Sequence, residues 1–171
     1  DLPDSDFKMV QERQQKMEYS VSHYQDSFYI MTNKDEATNF KIMRTLIATP
    51  EMENWEDFIA HDPDVLLEDF DLFEKYFVVS DRFNGLNRIR IKAWDHTVDY
   101  FLPFYNETYT AFTSANFQFK TNKLRYNYNS MTMPPSVIEF DMETREEVIL
   151  KTQSIEDPSF DPENYISERV W

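Results

Sequence analysis

The sequence predicts an all-β fold, built from about three four-stranded antiparallel sheets that follow one another along the chain. Three observations predict it. Short runs of alternating apolar and polar residues, the period of a half-buried strand, recur from residue 17 to residue 151 between turn signals. These runs fall into sets that repeat about every 48 residues. Aromatic residues make up 16% of the chain, with 10 Tyr and 15 Phe, a composition that suits interleaved sheets and not a disordered acidic tail.

The elements follow in order. Residues 17–23, 27–32, 39–46 and a short run at 55–59 form the first set. The second set is 66–72, 76–81, 87–93 and 97–102, and the third is 108–114, 123–130, 136–141 and 147–151. Phe28, Tyr76 and Leu124 occupy equivalent places early in each second strand, and Phe40, Arg88 and Ser136 early in each third. Asn84-Gly85 predicts a two-residue hairpin, because both central positions of a type I′ turn need positive φ. In the third set Met133-Pro134-Pro135 stops pairing, since Pro donates no backbone hydrogen bond. Asp141-Met142-Glu143-Thr144-Arg145 closes the last hairpin. With a single Gly in the chain, other turns are expected to place Asn or Asp at positive φ.

Four strands repeated at this length predict propeller blades, because one blade cannot bury both of its faces and must stack on neighbours. A β-sandwich also contains many short strands and is the alternative. The expected blades span 17–60, 64–103 and 106–152. Residues 1–16 are expected to end a preceding blade, with a strand around residues 7–10, or to be a linker. Residues 153–171, with Pro158 and Pro162, read as an extended linker. An arc of a ring would leave two outer faces uncovered, each an apolar patch, and self-association is expected through them.

Composition narrows the function. A formal net charge of −15 repels phosphate backbones and anionic lipid surfaces and attracts basic peptides. No run approaches the roughly 20 apolar residues that span a bilayer, and the acidic start Asp1-Leu2-Pro3-Asp4-Ser5-Asp6 has no apolar signal core. The absence of Cys excludes disulfides and thiolate chemistry and fits a cytoplasmic protein. The one Gly, between Asn84 and Leu86, leaves no material for a nucleophile elbow, a phosphate-cradling loop or a dinucleotide fingerprint.

The remaining candidates have plainer readings. His23, His61 and His96 are far apart in sequence, and Asp95-His96 reads as a polar turn, not a base with its orienting carboxylate. The carboxylates Glu51, Glu53, Glu56, Asp57, Asp62, Asp64, Glu68, Asp69 and Asp71 match no calcium-loop spacing and read as solvated edges and turns. Asn106-Glu107-Thr108 matches a glycosylation acceptor, meaningful only in a secreted chain. Phe101, Phe104, Tyr105, Phe112, Phe117 and Phe119 could line a groove, but the preferred reading is that they fill space between sheets. No catalytic residue, cofactor site or metal site is expected, and no substrate-binding residue can be singled out.

Several segments resemble oligopeptidase B of the prolyl oligopeptidase family of serine peptidases. They are Glu18-Tyr19-Ser20-Val21-Ser22-His23-Tyr24-Gln25-Asp26-Ser27-Phe28-Tyr29 with Thr32-Asn33 and Asn39-Phe40; Phe77-Val78-Val79 with Gly85-Leu86 and Arg88-Ile89-Arg90; Leu124-Arg125-Tyr126-Asn127-Tyr128-Asn129-Ser130-Met131-Thr132-Met133-Pro134 with Asp141-Met142-Glu143-Thr144; and Tyr165, Ser167-Glu168-Arg169 and Trp171. The family has Gly after the Thr of its last hairpin, where this chain has Arg145. It also has glycines before the linker, where this chain reads Ser154-Ile155-Glu156-Asp157-Pro158-Ser159.

The resemblance implies the last three blades of a seven-bladed propeller and the start of a linker toward an α/β-hydrolase catalytic domain. It implies a serine endopeptidase that cleaves short peptides after Arg or Lys, with its triad outside these residues. The propeller would cover the active site and restrict substrate size. The rival expectation is a stand-alone propeller that acts as a protein-binding scaffold without catalytic activity.

Overall fold

The computed structural model describes residues 6–157 and 159–170. Asp1-Leu2-Pro3-Asp4-Ser5 of the acidic start, Pro158 of the linker and Trp171 lie outside the described residues.

Three four-stranded antiparallel sheets form, each from four consecutive strands in unbroken order. The first holds β1 (Tyr19–Tyr24), β2 (Ser27–Thr32), β3 (Lys41–Leu46) and β4 (Glu56–Ile59). The second holds β5 (Val65–Leu72), β6 (Tyr76–Phe83), β7 (Leu86–Ala93) and β8 (Asp99–Phe101). The third holds β9 (Tyr109–Thr113), β10 (Lys123–Ser130), β11 (Ser136–Asp141) and β12 (Glu147–Thr152). A sandwich exchanges strands between sheets by Greek-key crossings. Uninterrupted meanders remove that alternative and are how blades are built.

The chain divides into two compact units, Asp1–Asp64 and Val65–Trp171. In the first, the register sets Val21 opposite Ile30 and Ile30 opposite Met43, so all three share one face. Trp55 closes over Ile30 and Met43, with Tyr19, Val21, Phe28 and Met52 around them. Trp55 falls just outside β4: its backbone N–H closes the preceding 3-10 turn by donating to the Met52 carbonyl at 3.2 Å, and its indole N–H donates to the Pro50 carbonyl at 2.9 Å. Lys41 is buried on the same sheet between Asp35 at 3.0 Å and Asp57 at 2.9 Å. Burial works against its charge, but Asp57 and Asp35 outweigh it and hold its pKa above the usual lysine value.

In the second unit two sheets pack face to face. On β7, Ile89, Ile91 and Ala93 alternate with Arg88, Arg90 and Lys92, so one strand carries an apolar face and a cationic face. The apolar face, with Tyr76 and Val78 of β6, packs against Leu124, Tyr126 and Tyr128 of β10 and Ile138 and Phe140 of β11. Val78, Ile89, Ile91 and Leu124 are each 0% exposed. The cationic face is neutralised in place: Arg88 pairs with Asp81 at 2.6 Å, and Arg90 and Lys92 pair with Asp99 at 2.7 and 3.0 Å. The Arg88 guanidinium also lies over the rings of Phe83 and Phe101, 4.8 and 4.4 Å from their centroids.

One expectation needs correction, and two gain detail. Residues 7–10 form no strand, and Phe7 is fully exposed; a strand persists only where its backbone groups find a partner. The face of the third sheet turned away from the second mixes ion pairs with exposed apolar side chains. Arg125 pairs there with Glu139 at 3.0 Å and Lys123 with Asp141 at 2.8 Å, beside the exposed rings of Phe112 and Phe117 and exposed Val148, and β12 also exposes Ile149 and Leu150. The third concerns turns. Asn84 and Asp35 take positive φ, but so do Lys16, Gln25, Glu36, Phe40, His96 and Arg145. The cost is steric and modest per residue, and the surrounding pairing holds these turns in place.

Two outcomes are expected from these contacts. Ile91→Ala removes a side chain from the sealed face and should lower unfolding free energy by about 2–5 kcal/mol in urea titration. Gly85 sits at φ +77, so Gly85→Ala should cost about 1–2 kcal/mol in the same assay.

Candidate functional site

Among the described residues, no group of three or more His, Cys, Asp or Glu side chains could hold a metal ion. His23 contacts its neighbouring Gln25 carbonyl at 2.6 Å, and His61 lies 3.4 Å from the Asn39 amide. Asp95 accepts from the Thr97 amide and hydroxyl at 3.0 and 2.6 Å. Asp95-His96-Thr97 is thus a closed polar turn, with Asp95 turned toward Thr97. Of the carboxylates, Glu68 accepts from Arg82 and Asn87, both at 2.8 Å, and Asp62 accepts from the Asp64 amide at 2.9 Å.

The aromatic reading is overturned in large part. Phe104 packs as expected, stacked on Tyr128 at 5.4 Å and tilted on Tyr109 at 4.8 Å. Phe101, Tyr105, Phe112, Phe117 and Phe119 are instead exposed, Tyr105 by 89% and Phe117 by 94%. Tyr105 and Phe117 stand on connections between strands, where nothing in the sheet pattern covers them.

The antiparallel order puts alternate turns at opposite ends of the second unit, and the ends differ in chemistry. At one end, Glu74, Lys75, Trp94, Asp95, Glu143 and Arg145 line an open groove of about 520 Å³. Arg145 stands where the resemblance leads one to expect Gly, at φ 65. It keeps the left-handed turn and adds a contact, its guanidinium 4.3 Å from the Tyr100 ring centroid. Tyr100 donates to the Met142 carbonyl at 3.2 Å, and burial pushes its phenol up to about 12. The Lys123 ammonium and the Thr144 amide hold the Asp141 carboxyl down to about 2.

The other end is apolar. Tyr105 on the β8–β9 connection, Met131 on the β10–β11 connection, and Tyr165, Ile166 and Val170 beyond β12 are all at least 60% exposed. A cleft of about 290 Å³ lies between residues 130–135 and Gln153, Ile155 and Phe160.

The first strands carry a third feature. The register sets Asp69 opposite Ser80 and Asp71 opposite Val78, which puts both carboxylates on the face that meets the third sheet. Asp69 is exposed, whereas Asp71 is half-buried with its Oδ2 enclosed and without a hydrogen-bond partner. Burial pushes the Asp71 carboxyl up, Thr113 on β9 partly offsets this by a hydrogen bond, and the Asp69 charge adds to the rise. Sequence reasoning treated both as solvated edge charges. The Asp-x-Asp spacing in a strand does signal one shared face, but only the register says which face.

The comparisons with known proteins agree with this architecture. The family model for the prolyl oligopeptidase N-terminal beta-propeller domain matches residues 3–153. Dipeptidyl aminopeptidase BI of Pseudoxanthomonas mexicana is 37% identical over 165 residues, covering 96% of this chain and 22% of that protein. Protease 2 of Moraxella lacunata is 22% identical over 179 residues, covering the whole of this chain and 24% of the relative. Oligopeptidase B from Trypanosoma brucei, solved in a closed form with covalently bound antipain, superposes with a TM-score of 0.83 at 27% identity over 93% of this chain and 23% of that one. Oligopeptidase B from Leishmania major has the same fold, with a TM-score of 0.86 at 22% identity over 99% of this chain and 25% of its own. The chain thus spans about a quarter or less of the length of these relatives.

Asp71 gives a pH signature. Because its folded pKa is raised, the folded state holds this proton more tightly than the unfolded chain. Its contribution to stability is therefore largest in acid and is lost as pH rises through the folded pKa. Asp71→Asn should raise the Tm at pH 7, with the gain vanishing below about pH 4, where the wild-type carboxyl is protonated in both states; thermal unfolding at the two pH values checks this.

Proposed function

The chain belongs to the prolyl oligopeptidase family, as part of its N-terminal β-propeller domain, and from that membership we propose that it is the substrate-screening part of a serine endopeptidase that cleaves short peptides after Arg or Lys. The match across residues 3–153 carries the reading, because it puts all three meander sheets in the propeller. The triad lies on an α/β-hydrolase domain of the same protein, and the blades cover it so that only short, flexible peptides reach the serine. Blade walls are rigid because neighbouring sheets seal one another, and rigidity is what excludes folded proteins.

The acidic character supports the preference for basic peptides. A net charge of −15 raises the local concentration of cationic peptides at a low-dielectric channel. β5 and β9 are the strands nearest the channel in this reading, and Asp69 is the exposed carboxylate on that wall. Oligopeptidase B of Trypanosoma brucei and Protease 2 of Moraxella lacunata are named as peptidases, which supports the peptidase part of the reading, while the name of dipeptidyl aminopeptidase BI makes dipeptide release the specificity to test against it. A cytoplasmic location fits the cysteine-free composition.

The full-length protein should hydrolyse short peptides at the bond that follows an Arg or Lys and spare folded proteins. Dipeptide-releasing and post-proline substrates assayed in parallel separate this specificity from others in the family, and no hydrolysis of any of them would leave a binding scaffold as the answer. Asp69→Asn should raise KM for basic peptides about two- to threefold at low salt, an effect that fades as the Debye length shrinks toward 3 Å near 1 M salt.

A further inference from the structure

Residues 153–157 and 159–170 do not leave the second unit where its last strand ends. After Thr152 the Gln153 amide donates to the Pro135 carbonyl at 2.9 Å, and Ile155 and Phe160 line the cleft beside the β10–β11 connection. Phe160 then stacks on Tyr165 at 5.7 Å, around a short 3-10 turn, Pro162–Asn164, whose Glu163 amide is capped by the Asp161 carboxylate at 3.0 Å. The segment finishes on the neighbouring sheet. The Arg169 amide donates to Glu107 Oε2 at 3.1 Å, on the β8–β9 connection. The Arg169 guanidinium donates to the Asn84 carbonyl in the β6–β7 turn. A Cβ at Gly85 would stand 3.1 Å from that guanidinium, so the one glycine serves both the turn and the approach of Arg169.

The geometry points to Arg169 as a positioning residue that fastens residues 153–170 as a strap across the ends of two adjacent sheets, so that the path out of the propeller bends only beyond Arg169. The mechanical consequence rests on the reading that a catalytic domain is joined there. An 18-residue linker free from residue 153 onward would wander over roughly 25 Å. A strap pinned at its far end removes that slack and raises the effective concentration of one domain at the other. Opening of the two domains then keeps the strap with the propeller. The guanidinium contact is a charge-assisted hydrogen bond, the stronger kind, and a neutral side chain in its place loses most of it.

Hydrogen exchange of the full-length protein, read on peptides covering 82–88 and 160–170, tests the strap. In the wild type, residues 160–170 should exchange far more slowly than free chain. Arg169→Gln should speed exchange there about tenfold while β6 and β7 stay protected, Arg169→Lys should recover part of the protection, and Glu107→Gln should give a smaller increase. Free-chain exchange in the wild type, or no change in Arg169→Gln, overturns the proposal. Should the full-length protein cleave no peptide, the peptidase reading fails, and the exchange result still decides the strap.

Discussion

The sealed contact between the β6–β7 face and the β10–β11 face is the interaction on which the second unit depends. Each sheet is a meander of short strands, and a lone four-stranded meander has two faces and no second layer to hide them. Val78, Ile89, Ile91 and Leu124 reach complete burial only because the third sheet lies against the second. Burial of this kind is roughly proportional to apolar area removed from water, so large side chains at alternate positions set the stacking. The turns, the strap and the aromatic tips take their places from it.

Charge does the complementary work on the reverse faces. Arg88, Arg90 and Lys92 alternate with the buried residues of β7 and find Asp81 and Asp99 across the strands. Arg125 and Lys123 do the same with Glu139 and Asp141 on the third sheet. The exposed pairs of the third sheet add little stability each. On the second sheet, by contrast, Asp81 is only 4% exposed and shares its face with buried Phe77 and Val79, so there the pairing satisfies charge within a packed face. A strongly acidic chain can therefore carry a cationic strand without exposing unpaired cations along it. Asp71 is the exception, a carboxylate packed at the seam with one enclosed oxygen unsatisfied, and it lies on β5, the strand assigned here to the channel wall.

Turn chemistry shows how the chain manages with one glycine. Asn84-Gly85 is a hairpin with both central residues at positive φ, 50 and 77, as the dipeptide alone demands. At some other left-handed positions the side chain bonds nearby: the Gln25 amide donates to the Tyr24 hydroxyl at 3.1 Å, and Asp35 pairs with Lys34 and Lys41. At Arg145 the unfavourable backbone region is joined to a contact with Tyr100, something a glycine at that position could not supply.

What the sequence determined by itself was local: twelve strands near their observed bounds, their grouping into fours, the type I′ hairpin and the polar turn at Asp95-His96-Thr97. Period-two alternation and turn dipeptides are properties of neighbouring residues, and nearby chain decides them. Tertiary structure decided what depends on distant partners. Which face of β5 carries Asp69 and Asp71 followed from the register with β6, and a shift of one residue would have turned both to the other side. Phe104 became core while Tyr105, next to it, became a surface tip, because only the stacked Tyr109 and Tyr128 make a pocket for one of the two. The path of residues 153–170 was set by Arg169 meeting Glu107 and Asn84, 62 and 85 positions away in sequence, a separation that no local pattern of residues can encode.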